Sequence, residues 1–217
     1  MREFASPALV EVDPSSNLTD LVVANAVRTP HAVAFRRKVA GRWQDVTCRE
    51  FLTEVSELAK GLAAAGIQPG DRVALMSKTR YEWTLTDFAI WFAGAVTVPV
   101  YETSSAEQVA WILADSGAVA AVVENEGHAG VVSQVRARAQ ALRDVWTIDA
   151  GSLPELSAAG SSVSDDDLEQ RRGAADLDTL ATIIYTSGSF AAALLASTTK
   201  LPWVSSQPFG RPVVPDV

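Results

Sequence analysis

Apolar strand-like runs and capped amphipathic helices alternate along most of this 217-residue chain, and that alternation restricts the fold more than any other feature. The predicted strands are continuous apolar runs, a pattern typical of strands that a parallel sheet buries on both faces. They cover residues 72–77, 95–101, 118–123, 145–148 and 180–185. Because a helix between two such strands forms a right-handed crossover, the pattern predicts an α/β fold with a mainly parallel sheet and flanking helices.

The predicted helices begin at recognisable caps. Thr47 with Glu50, and Ser104 with Glu107, have the spacing of capping boxes, and Asn17 is predicted to cap the first helix. Leu18, Leu21, Val22 and Asn25 follow that cap at helical spacing. The side chains predicted to share the packed faces of the later helices are Phe51, Val55, Leu58, Leu62, Leu85, Phe88, Ala89, Phe92, Val109, Ile112 and Leu113.

Three segments depart from the alternation. Ala40 and Gly41 predict the turn of a small N-terminal hairpin. Residues 151–167 are rich in Ser, Gly and Asp and predict a surface connection, with one short helix at 165–171. Beyond residue 190 four prolines interrupt regular structure, so the tail from about Ser197 is predicted to be irregular and poorly packed. The predicted division is a partial lobe over 1–189 and a divergent tail over 190–217.

Composition excludes several classes of function. The formal net charge of −8 argues against a nucleic-acid-binding surface, which needs clustered Lys and Arg. The single cysteine, Cys48, excludes an internal disulfide and favours a reducing compartment. No apolar run has the length of a membrane span. We therefore expect a soluble, cytoplasmic chain with no membrane span and no nucleic-acid partner.

The usual catalytic and metal-binding patterns are absent from the sequence. His31 and His128 lie in predicted loops, with no Cys or carboxylate at metal-ligand spacing to either. The acidic run at residues 165–167 is interpreted as a solvated helix start, where the helix dipole favours negative charge, rather than as a cation site. The sequence by itself predicts no metal site and no catalytic residue.

One short motif does point to chemistry. The apolar run 180–185 leads directly into Thr186, Ser187 and Gly188, and Ser189 adds one more hydroxyl. Hydroxyl groups and backbone N–H groups at the carboxyl end of a parallel strand are the donors that a phosphate group accepts from. These residues predict a phosphate-binding turn.

In the order and spacing of its motifs, the chain from about Asn17 to Gly188 resembles the adenylate-forming (AMP-binding) acyl-CoA synthetases. Within that superfamily it is most similar to the N-terminal part of bacterial long-chain fatty-acid–CoA ligases. The stretches that carry the resemblance are 43–47, 70–77, 81–83, 94–101, 107–116 and 185–188.

The resemblance implies an ATP-dependent acid–thiol ligase. In such an enzyme a fatty-acid carboxylate attacks ATP to give an acyl-adenylate and pyrophosphate, and coenzyme A then accepts the acyl group. Mg²⁺ accompanies ATP. By position, Thr186, Ser187 and Gly188 would hold the β- and γ-phosphates, and Ser189 would make a weaker contact. The implied partners are fatty acid, ATP and coenzyme A.

The resemblance ends near Gly188, where the family's loop continues with further Gly and a Lys. Lys200 lies too far along the chain to replace that Lys. The expected protein is therefore a truncated N-terminal lobe that is inactive alone and associates through uncovered apolar surface. Two alternatives stay open, a non-catalytic α/β interaction module and a weak nucleotide-binding protein.

Overall fold

The computed structural model describes residues 12–186. The chain divides into two compact units, Met1–Ile184 and Tyr185–Val217, and nearly all described residues belong to the first. The helices are α1 (Asp20–Arg28), α2 (Cys48–Ala64), α3 (Tyr81–Phe92), α4 (Ala106–Ser116), α5 (Glu126–Val135), α6 (Ser152–Ala159) and α7 (Asp165–Gly173). The strands are β1 (Val33–Val39), β2 (Arg42–Thr47), β3 (Arg72–Met76), β4 (Val96–Val100), β5 (Ala120–Val123) and β6 (Asp144–Thr147). The predicted boundary at residue 189 and the predicted irregular tail lie outside the described residues.

A four-stranded parallel sheet forms the centre of the first unit, in the order β4-β3-β5-β6. Ala74 of β3 pairs with Val98 on one side and with Ala121 on the other. Every residue of β5 is buried, since helices cover both faces of the sheet. The predicted α/β fold with a mainly parallel sheet is confirmed.

The main core lies between the sheet and helices α2, α3 and α6. Val73 and Leu75 of the sheet pack in one cluster with Val55 and Leu58 of α2 and Leu153 of α6. The apolar stripe predicted for α2 is thus confirmed, and its capping box is present because Thr47 and Glu50 satisfy each other's backbone N–H groups.

The predicted hairpin is also present. β1 and β2 pair antiparallel. The turn residues Ala40 and Gly41 both have positive φ, 48° and 81°, as a two-residue hairpin turn requires.

Two predicted helix starts are wrong. Helix α1 begins at Asp20 rather than after Asn17, and its buried residues are Val22 and Ala26. Leu18 lies before the helix, and Leu18 and Leu21 are 50% and 64% exposed. The Asn17 side chain instead accepts a hydrogen bond from the Thr19 N–H, which forms a turn ahead of the helix.

The second wrong start concerns α4. Its cap is Ser105, whose hydroxyl accepts from the Gln108 N–H while the Gln108 side chain accepts from the Ser105 N–H. The predicted cap, Ser104, lies one residue before the actual cap, so the helix begins one residue later than predicted. Glu107 is therefore released from capping and pairs with Arg138.

The region predicted as a surface connection contains an additional helix, α6, followed by a short 3₁₀ turn at Gly160–Ser162. Leu153 and Leu156 of α6 are buried against α2. Their burial against another helix, rather than any local helix signal, explains why the sequence pattern missed α6. The predicted short helix at 165–171 is confirmed as α7.

The predicted strand at 180–185 is reduced to one parallel bridge, between Thr97 of β4 and Thr182. Among residues 12–186, no strand lies beyond this segment, so it has a neighbour on one side only. No helix among those residues is both long and apolar enough to cross a membrane.

Candidate functional site

The segment that leads to the predicted phosphate-binding turn is fixed against β4 by three hydrogen bonds. The Thr97 N–H donates to the Ala181 carbonyl at 3.0 Å, and the Ile183 N–H donates to the Thr97 carbonyl at 3.0 Å. The Trp91 indole N–H of α3 donates to the same Ala181 carbonyl at 2.9 Å. Residues 181–183 therefore run parallel to β4 in a defined register.

Only the first of the four predicted phosphate-binding residues can be located. Thr186 is exposed and is the last described residue. Ser187, Gly188 and Ser189 lie outside the described residues. The predicted role of these four residues in phosphate binding stays a prediction.

A buried carboxyl group lies beside this segment, and the sequence reading missed it. Asp87 of α3 is 8% exposed and faces Thr97, which is fully buried. Burial raises the pKa of Asp87 to about 6, although the Thr97 hydroxyl favours the ionised form. Asp87 Oδ1 and Thr97 Oγ1 are both buried without a hydrogen-bond partner within the described range. The signal that could have revealed it is the position of Asp87 three residues before the buried Ile90, because residues three apart share a face of a helix.

Charged side chains meet at the carboxyl ends of β3 and β5, where the crossover connections leave in opposite directions. Open parallel sheets bind ligands at such positions. Glu124, directly after β5, has a side chain that is 5% exposed and lies 2.6 Å from Lys78 Nζ. Arg80 reaches Asp149 at 2.7 Å and Glu82 at 2.7 Å.

Every carboxylate of this cluster has a cationic partner, with three carboxylates sharing two cations. Burial opposes ionisation of Glu124, but hydrogen bonds from the Lys78 ammonium and backbone N–H, with the charge of Arg80, hold its pKa below the usual range. These ion pairs join the loops after β3, β5 and β6. Sequence reasoning missed Lys78 and Glu124, although both follow apolar strands as Thr186 does.

Two of the cavities within residues 12–186 have linings that bear on function. One, of about 470 Å³, is lined largely by apolar groups, among them Trp91 and three exposed leucines, Leu18, Leu21 and Leu180. The other, of about 750 Å³, lies between α2, α3 and α6. It is lined in part by Tyr81, whose pKa is raised by burial and by the nearby Glu54 carboxylate.

The residues considered for metal binding do not come together. Within residues 12–186 no group of three or more His, Cys, Asp and Glu side chains has the geometry to hold a metal ion. His31 is exposed, and His128 lies in α5 rather than in a loop as predicted. The acidic run at 165–167 forms the first turn of α7. Cys48 is free and is the first residue of α2.

Comparison with known proteins identifies related sequences. A family model described as AMP-binding enzyme matches residues 22–191. A long-chain-fatty-acid–CoA ligase of Mycobacterium tuberculosis, FadD15, is 45% identical over 193 residues, which are 87% of this chain and 32% of that protein. A feruloyl-CoA synthase of Amycolatopsis is 33% identical over 167 residues, 77% of this chain and 30% of that protein.

A solved structure has the same fold. The crystal structure of a long-chain-fatty-acid-CoA ligase (FadD1) from Archaeoglobus fulgidus superposes with a TM-score of 0.68 at 20% identity, covering 92% of this chain and 42% of that chain. The present chain thus spans about a third of the length of the two curated relatives described above.

Proposed function

Since the chain belongs to the AMP-binding enzyme family, we propose that it forms the amino-terminal part of a fatty-acid–CoA ligase. The reaction of the intact ligase would convert ATP, a fatty acid and coenzyme A into acyl-CoA, AMP and pyrophosphate. The observation that carries the proposal is the 45% identity to a long-chain-fatty-acid–CoA ligase over 87% of this chain. The parallel sheet and its flanking helices agree with it.

In this proposal, Thr186, Ser187 and Gly188 contribute donors to the β- and γ-phosphates of ATP, and Ser189 makes a weaker contact. The parallel pairing at Thr97 supports this role, because it fixes the position of Thr182, which lies four residues before Thr186. Hydroxyl and backbone N–H donors suit an anionic phosphate group. Mg²⁺ would screen the triphosphate, but the described residues offer no acidic cluster to hold it, so no step of the reaction is assigned to a metal held by them.

We further propose that the 217-residue polypeptide by itself does not form acyl-CoA. A triphosphate needs several fixed positive groups when charge moves during adenylation, and each such group typically contributes several kcal/mol to the transition state. After Gly188 this polypeptide has one Lys, Lys200, and one Arg, Arg211, both in the proline-containing tail.

Pyrophosphate exchange tests this proposal directly. The purified polypeptide is incubated with palmitate, ATP, Mg²⁺ and labelled pyrophosphate, and a heat-inactivated sample is the control. No labelled ATP above the control is expected. Exchange above the control would contradict the proposed inactivity.

ATP binding measured by calorimetry separates the alternatives. Saturable binding without exchange, lost in a Thr186→Val/Ser187→Ala variant, would favour a nucleotide-binding protein. No binding at all would leave the phosphate-binding role of residues 186–189 without support in this polypeptide and would favour an interaction module.

A further inference from the structure

The β1–β2 hairpin concentrates positive charge in an otherwise acidic chain. Residues 33–47, the two strands and their turn, carry four Lys and Arg side chains and one acid, whereas the whole chain carries 18 and 26. The molecule is therefore electrically asymmetric. An anionic surface would attract the hairpin while it repels the remainder of the chain.

The two faces of the hairpin differ. The inner face carries Phe35, which packs on Phe51, and Arg37, which pairs with Glu54 at 2.9 Å. The outer face carries Lys38 opposite Trp43, and next to them Arg36 opposite Asp45. Only the inner face is thus used by the core.

The tip of the hairpin combines an exposed indole with cations, since Lys38 and Trp43 form the last pair on the outer face and Val39 and Arg42 form the last pair on the inner face. Trp43 is 69% exposed. Lys38, across the strand from it, and Arg42 at the turn are exposed, and neither has a carboxylate within 4 Å in the described part of the chain. Val39 at the turn is 40% exposed. A Trp side chain flanked by basic residues suits the boundary between lipid headgroups and acyl chains, where the indole is partly buried and its N–H stays hydrated.

We propose that the tip of the β1–β2 hairpin docks end-on on an anionic lipid bilayer, with Trp43 at headgroup depth and Lys38 and Arg42, on its two faces, over the lipid phosphates. A bilayer provides both the negative charge that these cations lack and an apolar layer for Trp43 and Val39. A nucleic acid provides the charge without the apolar layer, and it normally requires a wider basic surface. The proposal does not depend on the proposed ligase function.

Vesicle sedimentation provides the test. The protein is mixed with phosphatidylcholine vesicles that contain about a third phosphatidylglycerol, or with pure phosphatidylcholine vesicles. Binding to the anionic vesicles alone is expected, and it should be lost at about 0.5 M salt because the Debye length shortens to a few ångströms. Removing two cations with Lys38→Gln/Arg42→Gln should weaken partitioning about 25-fold, at roughly fivefold for each charge.

A matched variant controls for net charge. Arg138→Gln/Arg143→Gln removes two exposed cations from outside the hairpin and should leave partitioning within about twofold of the native chain, since charges away from the membrane contribute little. Brominated lipids should quench part of the Trp fluorescence of the native chain, and Trp43→Phe should abolish that part. Circular dichroism melts establish that each variant is folded.

Several results would overturn the proposal. They are equal binding to neutral vesicles, no binding to anionic vesicles, or equal losses in the two double variants. Binding to a DNA duplex but not to vesicles, with the same dependence on Lys38 and Arg42, would assign the hairpin to nucleic acid instead.

Discussion

Helices α2 and α6 approach so closely at Gly61 that a single methyl group should separate them. A Cβ atom added at Gly61 would lie 2.2 Å from the Leu156 carbonyl oxygen and 2.4 Å from its carbonyl carbon. Both are backbone atoms, so no side-chain rotation relieves the overlap. To reach ordinary contact distance, α6 must move by about 1 Å, which is large for a close-packed core.

The cost of Gly61→Ala can be bounded from the structure. Overpacking of a core typically costs about 1–3 kcal/mol. If α6 detached completely, Leu153 and Leu156 would lose their burial, at about 1.5–3 kcal/mol each. Replacing Gly by Ala inside a helix returns about 1 kcal/mol. After that gain the two cases come to about 0–2 and 2–5 kcal/mol, and because the overlap is with backbone atoms we expect a net loss near the second, about 2–4 kcal/mol in the free energy of unfolding.

Gly130 offers the matched control. It lies inside α5, and a Cβ atom there would have nothing within 4 Å. Gly130→Ala should therefore stabilise the chain by about 0.5–1 kcal/mol. The same chemical change thus has opposite signs at Gly61 and Gly130.

Urea unfolding followed by circular dichroism measures both variants under identical conditions. For a chain of this size, the loss at Gly61 corresponds to a decrease in Tm of roughly 5–15 °C. A Gly61→Ala variant as stable as the native chain would refute the close packing of α2 on α6. Equal destabilisation by Gly130→Ala would show that the clash is not the cause.

Three further changes test other parts of the structure. Thr47→Ala removes the side-chain cap of α2 and should cost about 1 kcal/mol in urea unfolding, whereas an unchanged midpoint would contradict the capping role. Asp87→Asn should be more stable than the native chain at pH 7 by on the order of 2 kcal/mol, and the difference should vanish as the pH falls from 6 to 4. The folded chain, with a pKa of about 6 at Asp87, binds that proton more tightly than the unfolded chain does, so stability falls as the pH rises through this range; a difference that grows on acidification would be inconsistent. Leu21→Gln/Leu180→Gln should raise the monomer fraction in sedimentation velocity, and the exposed Val27→Gln, outside the apolar cavity, should not.

The sequence predicted the sheet well because its signals are local. The apolar runs at β3, β4 and β5 are continuous, and Thr47 caps α2 through residues three positions apart. These patterns predict the structure correctly because the sheet buries the same apolar residues that form them.

The errors arise where distant contacts decide the outcome. Helix α6 exists because Leu153 and Leu156 find α2, almost a hundred residues earlier in the chain. Leu18 and Leu21 have helical spacing, but no described element covers them, so their apolar character did not mean burial.

The candidate site was only partly predictable for the same reason. Thr186 directly follows an apolar run, so a local sequence pattern is enough to identify it. The Lys78–Glu124 pair joins residues 46 positions apart, and the burial of Asp87 depends on Thr97 in the next strand. Which charges meet at the edge of a parallel sheet depends on strand order, and the sequence pattern does not specify that order.

Exchange of this chain into a relative tests the central claim most directly. A chimera would carry residues 1–188 of this chain in place of the matching first third of the Mycobacterium tuberculosis FadD15 protein, with the rest of that protein unchanged. If this chain is the amino-terminal part of a fatty-acid–CoA ligase, the chimera should form palmitoyl-CoA from palmitate, ATP and coenzyme A, and a Thr186→Val/Ser187→Ala chimera should be much less active. A chimera that melts cooperatively like its parent, binds ATP and yet forms no palmitoyl-CoA would contradict the account.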